Sequence, residues 1–211
     1  MRPYEKDPQA IYAQSFAIVR DEARLDRFPP EMRPVMTRLI HACGMLEIAD
    51  RLAFSPRAAA VGHAALQAGA PVLCDCEMVG AGIIRRYLPA ENEVIVTLND
   101  PSVPARARLI GNTRSAAAVE LWRDRLAGAV VAIGNAPTAL FHLLELLEQG
   151  WPKPAIILGF PVGFVGAAES KAELGRDPRG CDFIALRGRR GGSAIASAAV
   201  NALAAGLPED V

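Results

Sequence analysis

AVVAIGNAPTALFHLLELLEQ, residues 129–149, decides the fold. Five apolar residues rich in valine and isoleucine come first, the composition of a fully buried strand. Gly134-Asn135-Ala136-Pro137-Thr138 follows, a turn with a proline suited to the first helical position. Apolar residues then recur at helical spacing to Gln149. The same alternation occupies the chain on both sides. Further strands are expected at Pro71–Asp75, Glu93–Leu98, Ala155–Leu158 and Phe183–Leu186, and further helices near Glu77–Tyr87, Asn112–Leu126, Ala168–Leu174 and Ser193–Ala205. Alternating strands and helices with near-continuous apolar strands predict a mostly parallel sheet covered on both faces. Right-handed crossovers make that a doubly wound three-layer α/β sandwich.

The first third reads as helical. Asp7-Pro8 is an N-cap followed by a first-turn proline, so a helix is expected from Gln9 to about Arg24. A second is expected from Pro30 or Pro34 to about Asp50. Ser55-Pro56 repeats the start signal for a third, which Gly69 closes. No linker, repeat or low-complexity tract interrupts the chain, so one domain over residues 1–211 is expected.

Composition narrows the function classes. Of the 211 residues 51% are hydrophobic and 22% charged, which excludes a disordered chain. The 23 basic residues balance 23 acidic ones, which argues against a nucleic-acid binder. Twenty of those 23 basic residues are arginine, a bias with a genomic cause or a cause in carboxylate and phosphate recognition. No apolar run is long enough to span a membrane, and MRPYEKDPQA carries no secretory apolar segment. Cys43, Cys74, Cys76 and Cys181 are too few and scattered for a disulfide framework, so a cytoplasmic protein with reduced thiols is expected. His41, His63 and His142 stand at unrelated spacings, and Cys74 with Cys76 has no second pair at zinc spacing. No metal site is expected.

Ligands of such sheets sit beyond the carboxyl ends of the strands. Here those ends are rich in glycine, arginine and capping residues. Gly188-Arg189-Arg190-Gly191-Gly192-Ser193 joins a strand to a helix, and its amides and two guanidinium groups suit carboxylates or phosphates. The other reading is a helix-entry turn with solvated arginines. The loop fits neither G-x-x-x-x-G-K-[ST] nor G-x-G-x-x-G, which weakens a nucleotide reading. Asn112 or Thr113 can cap the next helix, with Arg114 as an anion contact beside it. His41 is expected opposite the apolar stripe of Met32, Val35, Met36, Leu39, Ile40 and Cys43, on a face with Thr37, Met45 and Ile48. It reads as a surface histidine or as a general acid. His63 and His142 read as structural. Ser15, in Tyr12-Ala13-Gln14-Ser15-Phe16, lacks any nucleophile elbow.

Taken together, GNAPTAL (134–140), GFPVGFVGAAESK (159–171), GRRGGS (188–193), NTRS (112–115) and IHACG (40–44) are more informative. In this order they resemble the precorrin-8X methylmutase family of cobalamin biosynthesis, with likeness from Ala10 to about Ala204. The resemblance implies a flavodoxin-like sandwich and an isomerase that moves a methyl group from C-11 to C-12 of precorrin-8X, giving hydrogenobyrinic acid. It implies no redox or organic cofactor, and a homodimer with its site near the interface. The family's histidine falls on His41, as an acid or hydrogen-bond donor to the macrocycle. Ser15, Arg114 and Asp75 match its polar site positions. Arg189 and Arg190, with the backbone at Gly191, Gly192 and Ser193, suit the ring's carboxylate rim. Two other readings stay open: a tetrapyrrole carrier without turnover, and the cobalt-precorrin-8 enzyme of the anaerobic branch.

Overall fold

The computed structural model describes residues 4–206. Its sheet has six strands: β1 (Leu52–Phe54), β2 (Val72–Cys74), β3 (Val94–Val96), β4 (Val130–Ile133), β5 (Ile156–Gly159) and β6 (Asp182–Leu186). They lie in the order β1-β6-β5-β4-β2-β3. Strands β2 to β6 pair in parallel. Their order is the flavodoxin-like one, which reverses direction between β2 and β4. The edge strand β1 runs antiparallel to β6, with Ala53 opposite Ala185.

Alternation along each strand sorts the core into two halves. Val72, Cys74, Val130, Ala132, Ile156 and Leu158 face one cluster, and Leu73, Val131, Ile133 and Ile157 face the other. The first cluster is covered by α2 (Arg33–Cys43), α3 (Ala58–Gln67), α4 (Glu77–Gly82) and α9 (Ser193–Ala204). The second is covered by α6 (Arg114–Val119), α7 (Pro137–Glu148) and α8 (Ala167–Arg176). Helix α1 (Pro8–Glu22) lies outside, across α2. Helix α2 packs on α9 through Val35, Met36, Leu39 and Ile40, each at most 1% exposed. Their i, i+1, i+4, i+5 spacing is the apolar stripe read from the sequence.

Several boundaries differ from expectation, each for a local reason. Helix α2 ends at Cys43, because Gly44 adopts φ +67° and its N–H returns to the Ile40 carbonyl at 2.7 Å. A 3-10 turn over Leu46–Arg51 carries the chain on, so Ile48 is buried and does not share a helical face with His41. Thr37 is buried too, its hydroxyl donating to the Arg33 carbonyl at 2.9 Å. Ser55 caps no helix: its hydroxyl donates to Asp182 at 2.7 Å and accepts the Phe183 N–H at 3.0 Å. The stretches expected as helices over 77–87 and 112–126 tighten into 3-10 turns at Arg85–Tyr87 and Glu120–Arg125. Strand β1 and helix α5 (Val103–Leu109) come in addition to the expected elements.

Candidate functional site

Helix α1 begins as its sequence directs: the Asp7 carboxylate accepts the Gln9 N–H at 3.1 Å and Pro8 takes the first position. On one of its faces stand Tyr12, Ser15 and Phe16, three and four residues apart. That face meets His41 near the end of α2. Ser15 Oγ lies 2.8 Å from His41 Nδ1. The Tyr12 and Phe16 rings flank the imidazole with centroids 5.2 and 5.1 Å away. Burial, and secondly the nearby Arg38 guanidinium, hold the His41 pKa below its ordinary value. Both effects favour the neutral imidazole. When the Ser15 hydroxyl donates to Nδ1, the ring proton sits on Nε2 and is free to be donated. Ser15 and His41 share the wall of an open groove of about 420 Å³, with Ile11, Ile18, Ile40 and Leu46 as apolar lining.

Asp75 stands at the point where the strand order reverses. Its carboxylate leaves the end of β2 and accepts three N–H groups beyond β4: Gly134 at 2.9 Å, Asn135 at 2.9 Å and Ala136 at 2.8 Å. It thereby serves the backbone donors just before α7, whose N-cap residue, Ala136, makes no side-chain cap bond of its own. The side chain is buried, with 2% exposure. Burial pushes its pKa up, and the three amide hydrogen bonds oppose that rise. Gly134 closes the other wall: a Cβ there would lie 2.8 Å from Ser193 Cα, Ala196 Cβ and Val79 Cγ2. The crevice that holds ligands in many sheets of this topology is here filled by the protein's own carboxylate and backbone.

The loop after β6 carries the candidate anion contacts. Arg189 and Arg190 are exposed. The Arg189 guanidinium lies over the Phe164 ring, 5.5 Å from its centroid. Arg190 forms an ion pair with Glu47, which ties the loop to the turn after α2. The Gly192 N–H donates to the Phe160 carbonyl at 2.8 Å. A Cβ on Gly191 would stand 2.2 Å from that same oxygen, so the close approach requires glycine. Ser193 opens α9, its hydroxyl 3.5 Å from Cys76 Sγ.

Arg114 belongs to the opposite layer. Thr113, rather than Asn112, caps α6, accepting the Ala116 N–H at 3.1 Å. The Arg114 guanidinium donates to the Leu98 carbonyl and Asn99 Oδ1, both at 3.3 Å. The structure thus joins Ser15 to His41, and places Asp75 and the 188–193 loop at neighbouring strand ends. Among the described residues no hydrogen bond or ion pair links Arg114 to the Ser15–His41 pair.

The structure adds detail that the sequence left open. Phe164 and Val165 are 82% and 88% exposed beside Arg189, an apolar tip at the strand ends. Their signal was the Gly163-Phe164-Val165-Gly166 pattern, two large apolar residues between glycines. His142 does gather partners, with Glu145 at 3.0 Å and Glu120 at 3.3 Å. His63 bonds within the scaffold, its Nδ1–H donating to the Leu203 carbonyl at 2.8 Å. No group of three His, Cys, Asp or Glu side chains suited to a metal ion occurs among the described residues. None of their helices is long and apolar enough to cross a membrane.

These features define a doubly wound, flavodoxin-like α/β protein with a histidine–hydroxyl pair on one layer and an exposed arginine-bearing loop at its strand ends. The sequence profile of the Precorrin-8X methylmutase family matches residues 10–205. A Precorrin-8X methylmutase of Pseudomonas aeruginosa is 61% identical, over 97% of this chain and 98% of that one. A Cobalt-precorrin-8 methylmutase of Priestia megaterium is 35% identical, over 96% and 89%. The solved precorrin-8X methylmutase of Thermus thermophilus superposes with a TM-score of 0.83 at 40% identity, over 92% of this chain and 96% of its own. The chain belongs to the precorrin-8X methylmutase family, isomerases of cobalamin biosynthesis.

Proposed function

We propose that this isomerase acts on metal-free precorrin-8X and shifts its methyl group from C-11 to C-12, giving hydrogenobyrinic acid. The observation that carries the reading is the Ser15–His41 pair, at 2.8 Å, on the wall of the open groove. With Nδ1 held by Ser15, Nε2–H is the donor toward the macrocycle. A hydrogen bond there stabilises negative charge that builds on the conjugated ring as the carbon–carbon bond at C-11 breaks and that at C-12 forms. No atom enters or leaves, so the shift balances without a redox partner. An acid or donor of this type supplies ~10²–10⁴-fold. Holding the ring in a reactive shape supplies much of the remainder.

The rim of the substrate carries acetate and propionate carboxylates. Arg189, Arg190 and Arg114 suit them, because guanidinium groups pair with carboxylates through two parallel hydrogen bonds. The amides and hydroxyl of Gly191, Gly192 and Ser193 add donors. Asp75 acts at one remove, by fixing the Gly134–Ala136 turn. Preference for the metal-free ring is supported by greater identity to a relative named for precorrin-8X, 61%, than to one named for the cobalt compound, 35%. A homodimer is supported by Ile11, Tyr12 and Ile18, which are 44%, 42% and 47% exposed on the face of α1 beside the groove. The four unpaired cysteines support a reducing, cytoplasmic setting.

The test is a visible spectrum followed over time. Precorrin-8X is mixed with the wild-type protein and, separately, with His41→Ala. Conversion to hydrogenobyrinic acid by the wild type, slowed ~10²-fold or more in the variant, is the expected result. Equal conversion by both would remove His41 as the donor. A bound but unchanged spectrum would replace turnover with carriage of the ring, unless the cobalt complex is converted instead.

A further inference from the structure

Among the described residues Lys171 is a buried cation with no counter-ion. It sits in the second turn of α8, 2% exposed. Its ammonium donates to the Arg190 carbonyl at 2.5 Å, and among the described residues it makes no ion pair. Among the described residues the exposed Glu169 of α8 makes no ion pair with it, and the other charged groups of the surrounding elements named below are engaged elsewhere. On α8 itself Glu173 binds Arg179 at 2.6 Å. On α7 His142 binds Glu145 at 3.0 Å, and Glu148 lies 3.8 Å from Arg179. On β6 Asp182 binds Ser55 and Arg57. The Arg190 guanidinium is paired with Glu47. Burial alone lowers the Lys171 pKa to about 8. An uncompensated buried charge is costly, so its presence calls for a return elsewhere.

The return is visible in the loop it touches. Residues 189–192 lie along the 160–171 segment through three contacts in succession. The Gly163 N–H donates to the Arg189 carbonyl at 3.2 Å, Lys171 Nζ to the Arg190 carbonyl at 2.5 Å, and the Gly192 N–H to the Phe160 carbonyl at 2.8 Å. Two of these are neutral amide bonds. The one from Lys171 is charge-assisted and about twice as strong. It pins the backbone of the arginine whose side chain, like that of Arg189, is left facing outward.

We propose that Lys171 is a positioning residue, whose ammonium on the Arg190 carbonyl holds the Arg189–Gly192 loop in the shape that grips the substrate's carboxylates. The inference rests on the reading of that loop as the carboxylate-binding rim. A loop already in its bound shape spends none of the binding free energy on ordering. Loss of Lys171 therefore falls on affinity and leaves the methyl shift itself largely intact.

The experiment uses the full chain with Lys171→Met, close in volume and without charge, and Lys171→Arg. Hydrogenobyrinic acid is titrated by absorbance, KM and kcat are measured on precorrin-8X, and amide hydrogen exchange is followed over residues 188–192 in ligand-free protein. In the methionine variant the Kd and KM should rise about tenfold or more, with kcat within about threefold. Exchange in the loop should quicken, while the thermal midpoint at pH 7 stays at or above that of the wild type. The arginine variant should recover most of the affinity. Unchanged Kd and exchange would overturn the proposal. So would a fall in kcat and thermal midpoint together with unaltered exchange, which marks a merely structural lysine. If the wild type fails to bind the ring, the carboxylate-rim reading falls, and hydrogen exchange still judges the hold of Lys171 on the loop.

Discussion

Replacing Asp75 by asparagine changes one oxygen to an NH₂ group in a site where three backbone donors converge. The carboxylate accepts from Gly134, Asn135 and Ala136 at 2.8–2.9 Å, one on Oδ1 and two on Oδ2. An amide oxygen keeps two of them at most, and its NH₂ then faces the third N–H, donor against donor. A buried donor left unsatisfied costs about 1–3 kcal/mol. The two surviving bonds lose their charge assistance, about 1 kcal/mol each. Relief from burying a charge returns part of this. The net loss is about 2–4 kcal/mol, against a total stability of about 5–15 kcal/mol. Urea denaturation followed by tryptophan fluorescence measures it, because Trp122 is buried and hydrogen-bonded to Thr97 at 2.9 Å. The midpoint should fall with little change in slope. Asp75→Ala, which orphans all three amides, should fall further. A loss under about 0.5 kcal/mol for asparagine would refute the argument that this carboxylate organises the strand ends.

Other consequences are open to the same treatment. Ser15→Ala removes the partner of His41 Nδ1 and should lower kcat about 3–10-fold in the spectral assay, the worth of one neutral hydrogen bond, with the thermal midpoint lower by no more than about 2–4 °C. Gly191→Ala drives a Cβ to 2.2 Å from the Phe160 carbonyl, so the loop must move. Its Kd for hydrogenobyrinic acid should rise at least about tenfold, and an unchanged Kd would separate the loop from binding. Burial lowers the Lys171 pKa to about 8 from 10.5. Between those values the unfolded chain holds a proton that the folded chain has released, so stability rises with pH across that window, with a ceiling of about 3 kcal/mol. Lys171→Met should flatten that part of the stability profile, as read by denaturation at pH 7.5, 9 and 10.5.

The order of elements after Gly69 was legible because strand and helix differ in apolar period, and β2, β4 and β5 are buried on both faces. Val130, Val131, Ala132 and Ile133 are all fully buried, so no alternation was needed to find them. Strand β1 was not legible. Leu52-Ala53-Phe54 contains no β-branched residue, unlike the equally short edge strand Val94-Ile95-Val96. The helix breaks at 83–84 and after 119 were hidden for a different reason. Alanine-rich or apolar sequence favours helix locally, and packing within the fold overrode that preference. Gly44 was in plain view as a stop signal, but the apolar spacing beyond it, through Ile48, argued for a longer helix.

The candidate site divides along similar lines. Capping at Thr113 and at Asp7 was readable, since donor and acceptor lie within three residues of one another. Asp75 was singled out by family likeness alone, because its partners stand about 60 residues away and only the sheet brings them near. Lys171 carried no signal of its own: a lysine four residues into a helix reads as solvated until the fold closes over it. What these two share is a charged side chain buried against backbone rather than against an opposite charge. Each fixes a turn at the carboxyl end of the sheet, Asp75 after β4 and Lys171 after β6. A ring with flexible carboxylate arms has to be held by groups that do not move with it. The groups expected to touch it, Arg189 and Arg190, are mobile surface side chains on any local reading. Anchored at the backbone from beneath, they would form a rim of fixed origin, and under the proposed function the charges that matter for binding then include two that the ligand does not meet.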